Sequence, residues 1–516
     1  MAKKFILIFL LAGYIWSVRG QEDFSSPLPI VLIETDVDPA TGQPMTIPDE
    51  PKIGATMKII FVNDNTVNHL SDKDNPDCLN YNGRIGIERR GHTSQMAEKK
   101  PYGLETRREN GANNNVSLLG MPKENDWVLN AFFYDDSYMR DCLTFVLGRR
   151  TGHYAPRTHY CELFLNGTYQ GLYMLGEKIK IDRNRVNITK VSTSDSTEPA
   201  VTGGYIFQAD RSSSSEPAAW TTESFRDTSH IVAYIFHAPK ASEVTQPQID
   251  YMRNYFFRFM QAVEDGDTSD ATGYPSLIDV DSFIDFMLVG ELASNVDLYQ
   301  LSTFFHKNRR GKLCAGPLWD FNFAYGNDYA DRSQYDRWQF DNGSNNGSPF
   351  WYQLFNSPYF HRRLANRWHE LTSDDGPLSF HNTMLIMDSI IQHISPAIER
   401  EKSRWNRNYN YSKHIEQMRL WLQNRYLWMN HQLRAGYTSN GTLTLGPNPT
   451  TRYIEITGNT AEMESVKIYD LQGQCMLTME FNGVLPLIDL YSLPRGIYIA
   501  LIATHQETVV KKVVKL

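Results

Sequence analysis

Short apolar runs in the first third of the chain are separated by Pro, Gly and Asp, a pattern that predicts strands joined by turns. The polar stretch 63–82 is predicted to be a loop. Asn166-Gly167 lies between two of the runs and is typical of the turn that closes a hairpin. The predicted strands are Pro29–Glu34, Met57–Val62, Arg84–Arg89, Lys100–Thr106, Cys161–Leu165 and Gly171–Leu175.

Apolar positions recur every three or four residues in later segments, which predicts helices. The segments are Ser137–Arg150, Gln248–Val263 and Asp281–Ala293, and a last apolar stripe between residues 415 and 433 indicates ordinary core packing. From about residue 442 onward, only short alternating strands remain. The pattern therefore predicts an α+β chain that ends in a small all-β sandwich.

Composition narrows the class of protein. A chain of 516 residues is too long for one ordinary core and predicts two or three domains. The net charge of −8, without a basic stripe, argues against a nucleic-acid binder. The five cysteines have no metal-binding or redox spacing, so we expect most of them to be buried core residues.

The N-terminus has the features of a secretory signal peptide. Lys3 and Lys4 precede the apolar run Phe5–Ile15, and small residues stand before Gln21. The apolar run is too short to span a bilayer, and no later segment approaches that length. We therefore expect residues 1–20 to be removed and the mature protein to work outside the cytoplasm.

Two aspartates stand out as candidate chemistry. Asp297 follows a buried helix, and Asp320 follows a predicted hairpin of strands Leu301–Phe305 and Leu313–Leu318. The start of the first strand and the end of the second lie at the same end of a hairpin, so both carboxylates are expected to face one pocket. Such a pair suits phosphoryl transfer, with one acid accepting a proton and the other holding a metal. Capping of a helix end and a loop start is the alternative interpretation.

A basic segment precedes these acids in the chain. Arg90-Gly91-His92-Thr93-Ser94 lies between two predicted strands, where backbone N–H groups can approach phosphate. Lys99 and Lys100 follow at the start of the next strand. A solvated basic turn is the alternative for this segment taken alone. With the acidic pair, it predicts a two-lobed nucleotide site.

Several segments resemble successive blocks of the CotH (spore coat protein H) kinase family. The resemblance is collinear and covers roughly residues 28–435. It implies an atypical two-lobed protein-kinase-like domain that binds ATP with Mg²⁺ or Mn²⁺ and phosphorylates Ser or Thr hydroxyls of a protein substrate. The blocks read IGIERRGHTSQMAEKKPYGLET, VSLLGMPKENDWVL, CELFLNGTYQGLYMLGEKIKIDRNRVNI, TGGYIFQAD and NVDLYQLSTFFHKNRRGKLCAGPLWDFNFAYGN.

The resemblance also implies roles for individual residues. Asp297 would be the catalytic-loop acid, Asp320 the metal-binding acid and Lys100 the phosphate-contacting lysine, in preference to Lys99. The other implied positions are Arg90 and Ser94 in the phosphate loop, Glu177 in nucleotide or supporting contacts, and Arg140, which is equally well interpreted as an exposed surface arginine.

The sequence departs from the kinase pattern at one position, and this departure leaves two functions open. Kinases carry a metal-binding Asn about five residues after the catalytic Asp. Here only Gln300 and Ser302 are available as substitutes in that region. The leading hypothesis is an active Ser/Thr kinase acting on an exported protein, and the alternative is a catalytically silent surface adhesin or scaffold. A carbohydrate-active enzyme ranks below both, because no second acid pair stands out.

The C-terminal segments resemble the type A sorting domain of the type IX secretion system. The resemblance implies passage across the outer membrane by that machinery, whereas composition alone would also allow a carbohydrate-binding sandwich. The predicted order is a signal peptide (1–20), a β-rich leader (21–63), the kinase-like domain (64–436) and the sorting domain (437–516). The segments read LTLGPNPTTRYIEITG, VKIYDLQGQ, IDLYSLPRGIYIALI and VVKKVVKL.

Overall fold

The computed structural model describes residues 24–433 and 443–516, apart from residues 64–65, 92, 226, 374, 447, 458–462, 481–486 and 505–507. Three sequence predictions fall outside these residues. They are the signal peptide at 1–20, the domain boundary near 436, and the part of the predicted phosphate loop that His92 occupies.

The first part of the chain folds into a closed barrel of seven strands in the order β2-β3-β5-β6-β7-β9-β8. Two short strands, β1 (Ser25–Ser26) and β4 (Asn68–His69), pair with each other beside it. The barrel strands are β2 (Ile30–Thr35), β3 (Ile53–Ile60), β5 (Leu79–Arg89), β6 (Tyr102–Arg107), β7 (Asp126–Asn130), β8 (Thr158–Leu165) and β9 (Thr168–Glu177).

One parallel pairing closes this barrel. β2 is antiparallel to β3 but parallel to β8, with Ile30 opposite Glu162 and Ile33 opposite Leu165. Alternate apolar side chains point inward, among them Val31 and Trp127, and form a continuous core. The strands of the predicted β-rich leader are therefore part of the barrel.

The second part combines a five-stranded sheet, in the order β11-β12-β10-β13-β14, with helices. The strands are β10 (Tyr205–Ala209), β11 (Trp220–Glu223), β12 (Ile231–Ala238), β13 (Thr303–Lys307) and β14 (Leu313–Ala315). The helices are α1 (Arg140–Arg150), α2 (Gln246–Glu264), α3 (Tyr274–Leu277), α4 (Val280–Ala293), α5 (Phe350–Asn356), α6 (Pro358–Thr372), α7 (Phe380–Arg404) and α8 (Tyr411–Gln432).

Helix α4 lies at the centre of this part. All but one of its residues are buried, which matches its almost uniformly apolar sequence. The Asp279 side chain caps its start by accepting a hydrogen bond from the Ser282 N–H (3.0 Å). A helix fixed at its start and buried along its length delivers the residues after its end to a defined place.

The predicted helices and the Asn166-Gly167 turn are confirmed to within a few residues at each end. The predicted loop 63–82 is wrong in part, since it contains β4 and the start of β5. Strand β5 begins at Leu79 because its partner β3 is long enough to pair with it from Ile60 onward.

The C-terminal part consists of a three-stranded and a four-stranded sheet in the orders β15-β16-β19 and β18-β17-β20-β21. Side chains from both sheets, including Ile454 and Val466, form one apolar core. The strands are β15 (Thr444–Gly446), β16 (Tyr453–Thr457), β17 (Met463–Tyr469), β18 (Cys475–Glu480), β19 (Leu487–Asp489), β20 (Gly496–Thr504) and β21 (Thr508–Lys515).

The C-terminal part also packs on the helices before it. The Tyr453 ring meets the Phe380 ring edge to face at 5.4 Å, and its hydroxyl lies 3.3 Å from Nη1 of Arg419. Among the described helices, none is long and apolar enough to cross a membrane.

Candidate active site

The loop after α4 carries Asp297. Ser294 ends the helix in the left-handed conformation (φ 47°), which turns the chain sharply. Tyr299 (φ 73°) and Ser302 (φ 47°) are also left-handed non-glycine residues in the same loop. Such strained positions cluster at functional sites, because the surrounding structure must hold them in place.

The β13–β14 hairpin carries the chain from this loop to Asp320. Phe305 pairs with Ala315 and Lys307 with Leu313, so the predicted hairpin is confirmed, with shorter strands than predicted. Asp320 is itself left-handed (φ 62°) and lies on the side of the hairpin where the Asp297 loop begins. The two acids lie near each other, since the side chain of Asn295 contacts the backbone of both.

Asn295 connects the two acid segments. Its Nδ2 donates to the carbonyl oxygen of Asp320 (3.0 Å), and its Oδ1 accepts from the backbone N–H of Asp297 (3.2 Å). The Val296 N–H also donates to the carbonyl of Phe323 (3.1 Å). The two acids are therefore held at a fixed separation by buried backbone contacts.

The structure brings two further carboxylates to this place. Asp141, in the first turn of α1, accepts from the N–H of Phe321 (2.6 Å). Asp210 directly follows β10, the strand that pairs with β13. Neither acid was identified from the sequence, since each comes from an element far from the Asp297–Asp320 segment in the chain.

Besides burial, Asp320 raises the pKa of each of the other three carboxyls. Asp320 itself is exposed, yet the protein around it still raises the pKa of its carboxyl against the opposing effect of Arg90. Burial and the neighbouring Asp320 raise the pKa of Asp297 to about 6 and that of Asp141 to about 7. Burial, with a smaller effect of Asp320, raises the pKa of Asp210 to about 6. The site thus holds an excess of negative charge.

Arg90 is the cation that acts to lower the pKa of Asp320. Its Nη1 donates to Oδ1 of Asn130 (3.1 Å), and its guanidinium carbon lies 5.2 Å from the centre of the Trp319 ring. Burial lowers the pKa of Arg90, while Asp320 and Asp141 oppose that effect. Asn130 also donates from Nδ2 to Oδ2 of Asp141 (3.4 Å), so its amide connects Arg90 to one of the acids.

The predicted phosphate loop follows Arg90. Gly91 is left-handed (φ 85°), and a Cβ placed on it would lie 2.0 Å from Oγ of Ser94, so only glycine fits there. Lys100 turns back on this loop, and its Nζ donates to the carbonyl of Gln95 (2.8 Å). No contact of Ser94 or Lys100 with the acids is seen in the described residues.

Lys99 occupies a different environment. Its side chain and that of Glu401 are each only 1% exposed and form an ion pair at 2.7 Å. Its ammonium also lies 4.5 Å from the centre of the Tyr173 ring. Lys99 therefore joins the barrel to helix α7, in agreement with its lower rank as a phosphate ligand.

Glu177 lies at the end of β9 and is fully buried. Its carboxylate accepts from Nη2 of Arg157 (2.7 Å) and lies 3.7 Å from Nε of Arg185. Burial lowers the pKa of the next residue, Lys178, an effect that Asp126 opposes and that Lys52 and Arg90 strengthen. Lys178 is thus a cation near Arg90 that sequence reasoning missed.

Arg140 is not an exposed surface arginine, and that interpretation is wrong. It is buried, pairs with Asp135 and donates from Nε to the carbonyl of Ala324 (2.9 Å). The reason is its place at the start of α1, which packs directly on the segment after Asp320. Arg140 therefore supports the Asp320 segment from behind.

The two substitutes for the kinase Asn are placed differently. The Gln300 side chain donates from Nε2 to the carbonyl of Val296 (2.8 Å) and accepts at Oε1 from the N–H of Asn346 (3.1 Å). Both ends of its amide thus hold the loop together. The backbone N–H of Ser302 acts against burial to lower the pKa of the Asp210 carboxyl.

The donor set suits a hard divalent cation. Carboxylate oxygens are the ligands that Mg²⁺ and Mn²⁺ prefer, and Oδ1 of Asn322, two residues beyond Asp320, is buried without a hydrogen-bond partner. In the part of the chain that the structure describes, no group of three or more His, Cys, Asp or Glu side chains could hold a metal alone. This agrees with Mg²⁺ chemistry, in which one or two carboxylates act together with substrate phosphates.

Comparison with known families decides the class of the protein. The sequence model of the family described as CotH kinase protein matches residues 87–429, about two thirds of the chain. The chain belongs to the CotH kinase family. No curated protein matches the chain.

The CotH kinase domain is followed by a match to the secretion system C-terminal sorting domain over residues 445–516. This match identifies the C-terminal part as a type IX sorting domain. The protein is therefore secreted or displayed at the cell surface, and its C-terminal part interacts with the secretion machinery.

Membership of the CotH kinase family gives the acid cluster its context. The protein is kinase-like. Asp210 ends the TGGYIFQAD block, and its position at a strand end was the one signal that could have pointed to it. Asp141 and Asn295 carry no comparable signal, since single polar residues in a helix turn or loop are common.

Proposed function

We propose that this CotH-type protein is an atypical Ser/Thr protein kinase that transfers phosphate from ATP to an exported protein. The observation that carries the proposal is the Asp297–Asp320 pair, held by Asn295 beside the Arg90 guanidinium. We further propose that the closed barrel and the helical part are the two lobes of the kinase-like fold, and that the two C-terminal sheets form a sandwich. The domain limits 21–63, 64–436 and 437–516 remain part of this proposal.

In this proposal, individual residues of the protein have distinct roles in phosphate transfer. Asp297 accepts the proton of the attacking Ser or Thr hydroxyl, and a pKa of about 6 leaves it ionised yet basic enough to do so near neutral pH. Asp320 would hold Mg²⁺ or Mn²⁺, which neutralises charge on the phosphates when bound. Arg90 and the nearby Lys178 would contact phosphate oxygens.

Four further residues predicted from the sequence have supporting roles in the proposal. Lys100 and Ser94 lie in the loop after Arg90 and would reach phosphate only if that loop closes on the nucleotide. Glu177 would act indirectly, by fixing the strand end from which Lys178 projects. Gln300 would keep the catalytic loop in shape through its two backbone contacts.

The test compares the full chain without residues 1–20 with its Asp320→Ala and Asp297→Ala variants. We expect metal-dependent ATP binding that is lost in Asp320→Ala. Phosphate incorporation should be lost in Asp320→Ala and fall by roughly 10²–10⁴-fold in Asp297→Ala, the usual contribution of a general base. Asp74→Asn, which changes an exposed acid paired with Lys58 (2.6 Å), is the matched control and should behave like the unaltered protein.

A catalytically silent surface adhesin or scaffold is the second candidate. One observation favours it, namely that the amide of Gln300, the nearest equivalent of the kinase Asn, is already engaged at both ends. A folded protein that binds no nucleotide with either metal would rule out the kinase and support this candidate.

A further inference from the structure

The strand β10 places a carboxylate beside the catalytic loop. β10 and β13 are antiparallel, with Ala209 opposite Thr303, so the next position on each side brings Asp210 opposite Ser302. Ser302 lies five residues after Asp297, which is the place of the metal-binding Asn in kinases. The backbone of Asp210 thus lies opposite the chain position of the missing Asn.

A backbone hydrogen bond fixes the direction of this side chain. The Asp210 carboxylate accepts from the N–H of Arg211 (2.8 Å). A carboxylate offers about four lone-pair positions, so one accepted hydrogen bond leaves capacity for a metal ion.

Backbone contacts place Asp210 beside the acid cluster. The N–H of Leu301, next to Ser302, donates to the carbonyl of Asp297 (2.9 Å), and Asn295 connects Asp297 to Asp320. A divalent cation between Asp210 and Asp320 would relieve repulsion that the nearby arginines offset only in part. The residues of the catalytic loop itself provide no comparable ligand, because the Gln300 amide is engaged on both sides and Ser302 offers only a neutral hydroxyl.

We propose that Asp210 binds the divalent cation together with Asp320, in place of the catalytic-loop Asn of protein kinases. The inference rests on the proposed function and names a ligand supplied by a strand outside the catalytic loop. The loss of the Asn is thereby compensated by an acid carried on the strand adjacent to that loop.

The test measures cation binding directly. Mn²⁺ is titrated into the full chain without residues 1–20, with and without a non-hydrolysable ATP analogue, and free Mn²⁺ is followed by electron paramagnetic resonance. Asp210→Ala should weaken Mn²⁺ binding by about tenfold or more, since loss of a ligand exceeds the usual effect of losing an outer contact. Asp210→Asn keeps an oxygen ligand and the backbone hydrogen bond, and it should lose less.

The control is Glu216→Gln, which removes one negative charge from an exposed side chain near Asp210. It should leave Mn²⁺ binding unchanged. Circular dichroism of each variant reports folding, and the isosteric Asp210→Asn keeps the test valid if Asp210→Ala does not fold.

The outcomes separate the two proposals. Weaker binding in Asp210→Ala and Asp320→Ala, but not in Glu216→Gln, supports Asp210 as a ligand. Binding lost in Asp320→Ala but unchanged in Asp210→Ala overturns the inference and leaves the kinase proposal standing. Equal weakening by Asp210→Ala and Glu216→Gln also overturns it, because charge alone would then explain the effect. Absence of metal-nucleotide binding in the unaltered chain overturns the proposed function itself.

Discussion

Asn295 lies between the two acids on which the proposed reaction depends, and it is only 3% exposed. Asn295→Ala removes both of its hydrogen bonds and lets the Asp297 and Asp320 segments shift. We expect kcat for phosphate transfer to fall by roughly 10–100-fold, because a displacement of about 1 Å at a reacting group has effects of that size. The KM for ATP should change less, which steady-state kinetics would show.

A second buried asparagine provides the control for this residue. Asn345 is also 3% exposed and also makes two backbone contacts, to the carbonyl of Leu298 (2.7 Å) and from the N–H of Gly347 (2.9 Å). Asn345→Ala should lower the melting temperature about as much as Asn295→Ala but leave the ratio of kcat to KM closer to that of the unaltered protein. Equal kinetic losses in both variants would contradict a positioning role for Asn295.

At the scale of elements, the buried pair of Lys99 and Glu401 joins the barrel to helix α7. The N–H of Leu172 in β9 also donates to the Glu401 carboxylate (2.8 Å). Lys99→Met leaves that carboxylate buried without its counter-ion, so we expect the free energy of unfolding to fall by on the order of 3–5 kcal/mol. Urea unfolding followed by fluorescence measures the change.

The double variant Lys99→Met/Glu401→Gln should recover most of that loss, since it leaves no unpaired buried charge. Lys58→Met breaks an exposed pair with Asp74 instead and should cost about 1 kcal/mol or less. A Lys99→Met variant as stable as Lys58→Met would show that the pair does not tie the two elements together.

An element could be predicted from the sequence where the residues that determine it lie within one short segment. Helix α4, the β13–β14 hairpin and the closeness of Asp297 to Asp320 depend on residues within one short segment, so spacing alone predicted them. The closing β2–β8 pair and the arrival of Asp210 depend on partners far apart in the chain. Periodicity carries no information about such partners.

Strand geometry sets a second limit on sequence prediction, which concerns the side chains predicted to contact the nucleotide. Glu177 and Lys178 are neighbours, yet Glu177 lies in a buried ion pair, whereas Lys178 is half-buried and near Arg90. An error of one residue reverses the face on which a strand side chain lies. Sequence reasoning pointed to this segment but could not choose between its two residues.

At the scale of the whole molecule, the acid cluster should make stability depend on pH. The pKa of Asp141 rises from 3.8 to about 7 on folding, so the folded chain binds more protons than the unfolded chain between these values. The free energy of unfolding should therefore fall as pH rises through this window. In the absence of divalent cations, we expect the melting temperature of Asp141→Asn to fall less than that of the unaltered chain between pH 5 and 7.5.

Addition of Mg²⁺ or Mn²⁺ should reverse the trend. Metal binding requires ionised carboxylates, so the rise in melting temperature on adding metal should be larger at pH 7.5 than at pH 5. Differential scanning fluorimetry at both pH values measures this. An equal rise in melting temperature at both pH values would show that stabilisation by the metal does not depend on ionisation of the cluster.

The parallel pair between β2 and β8 has a consequence for how the protein associates with itself. The region matched by the CotH family begins at residue 87, inside β5, so a chain cut there lacks β2, β3 and most of β5. Strand β8 then keeps only one neighbour and exposes a row of unpaired N–H and C=O groups, to which a second molecule can add a strand. In the intact barrel, β2 pairs with this edge of β8 and satisfies its backbone groups, so the strands before the matched region remove a site at which a second molecule could add.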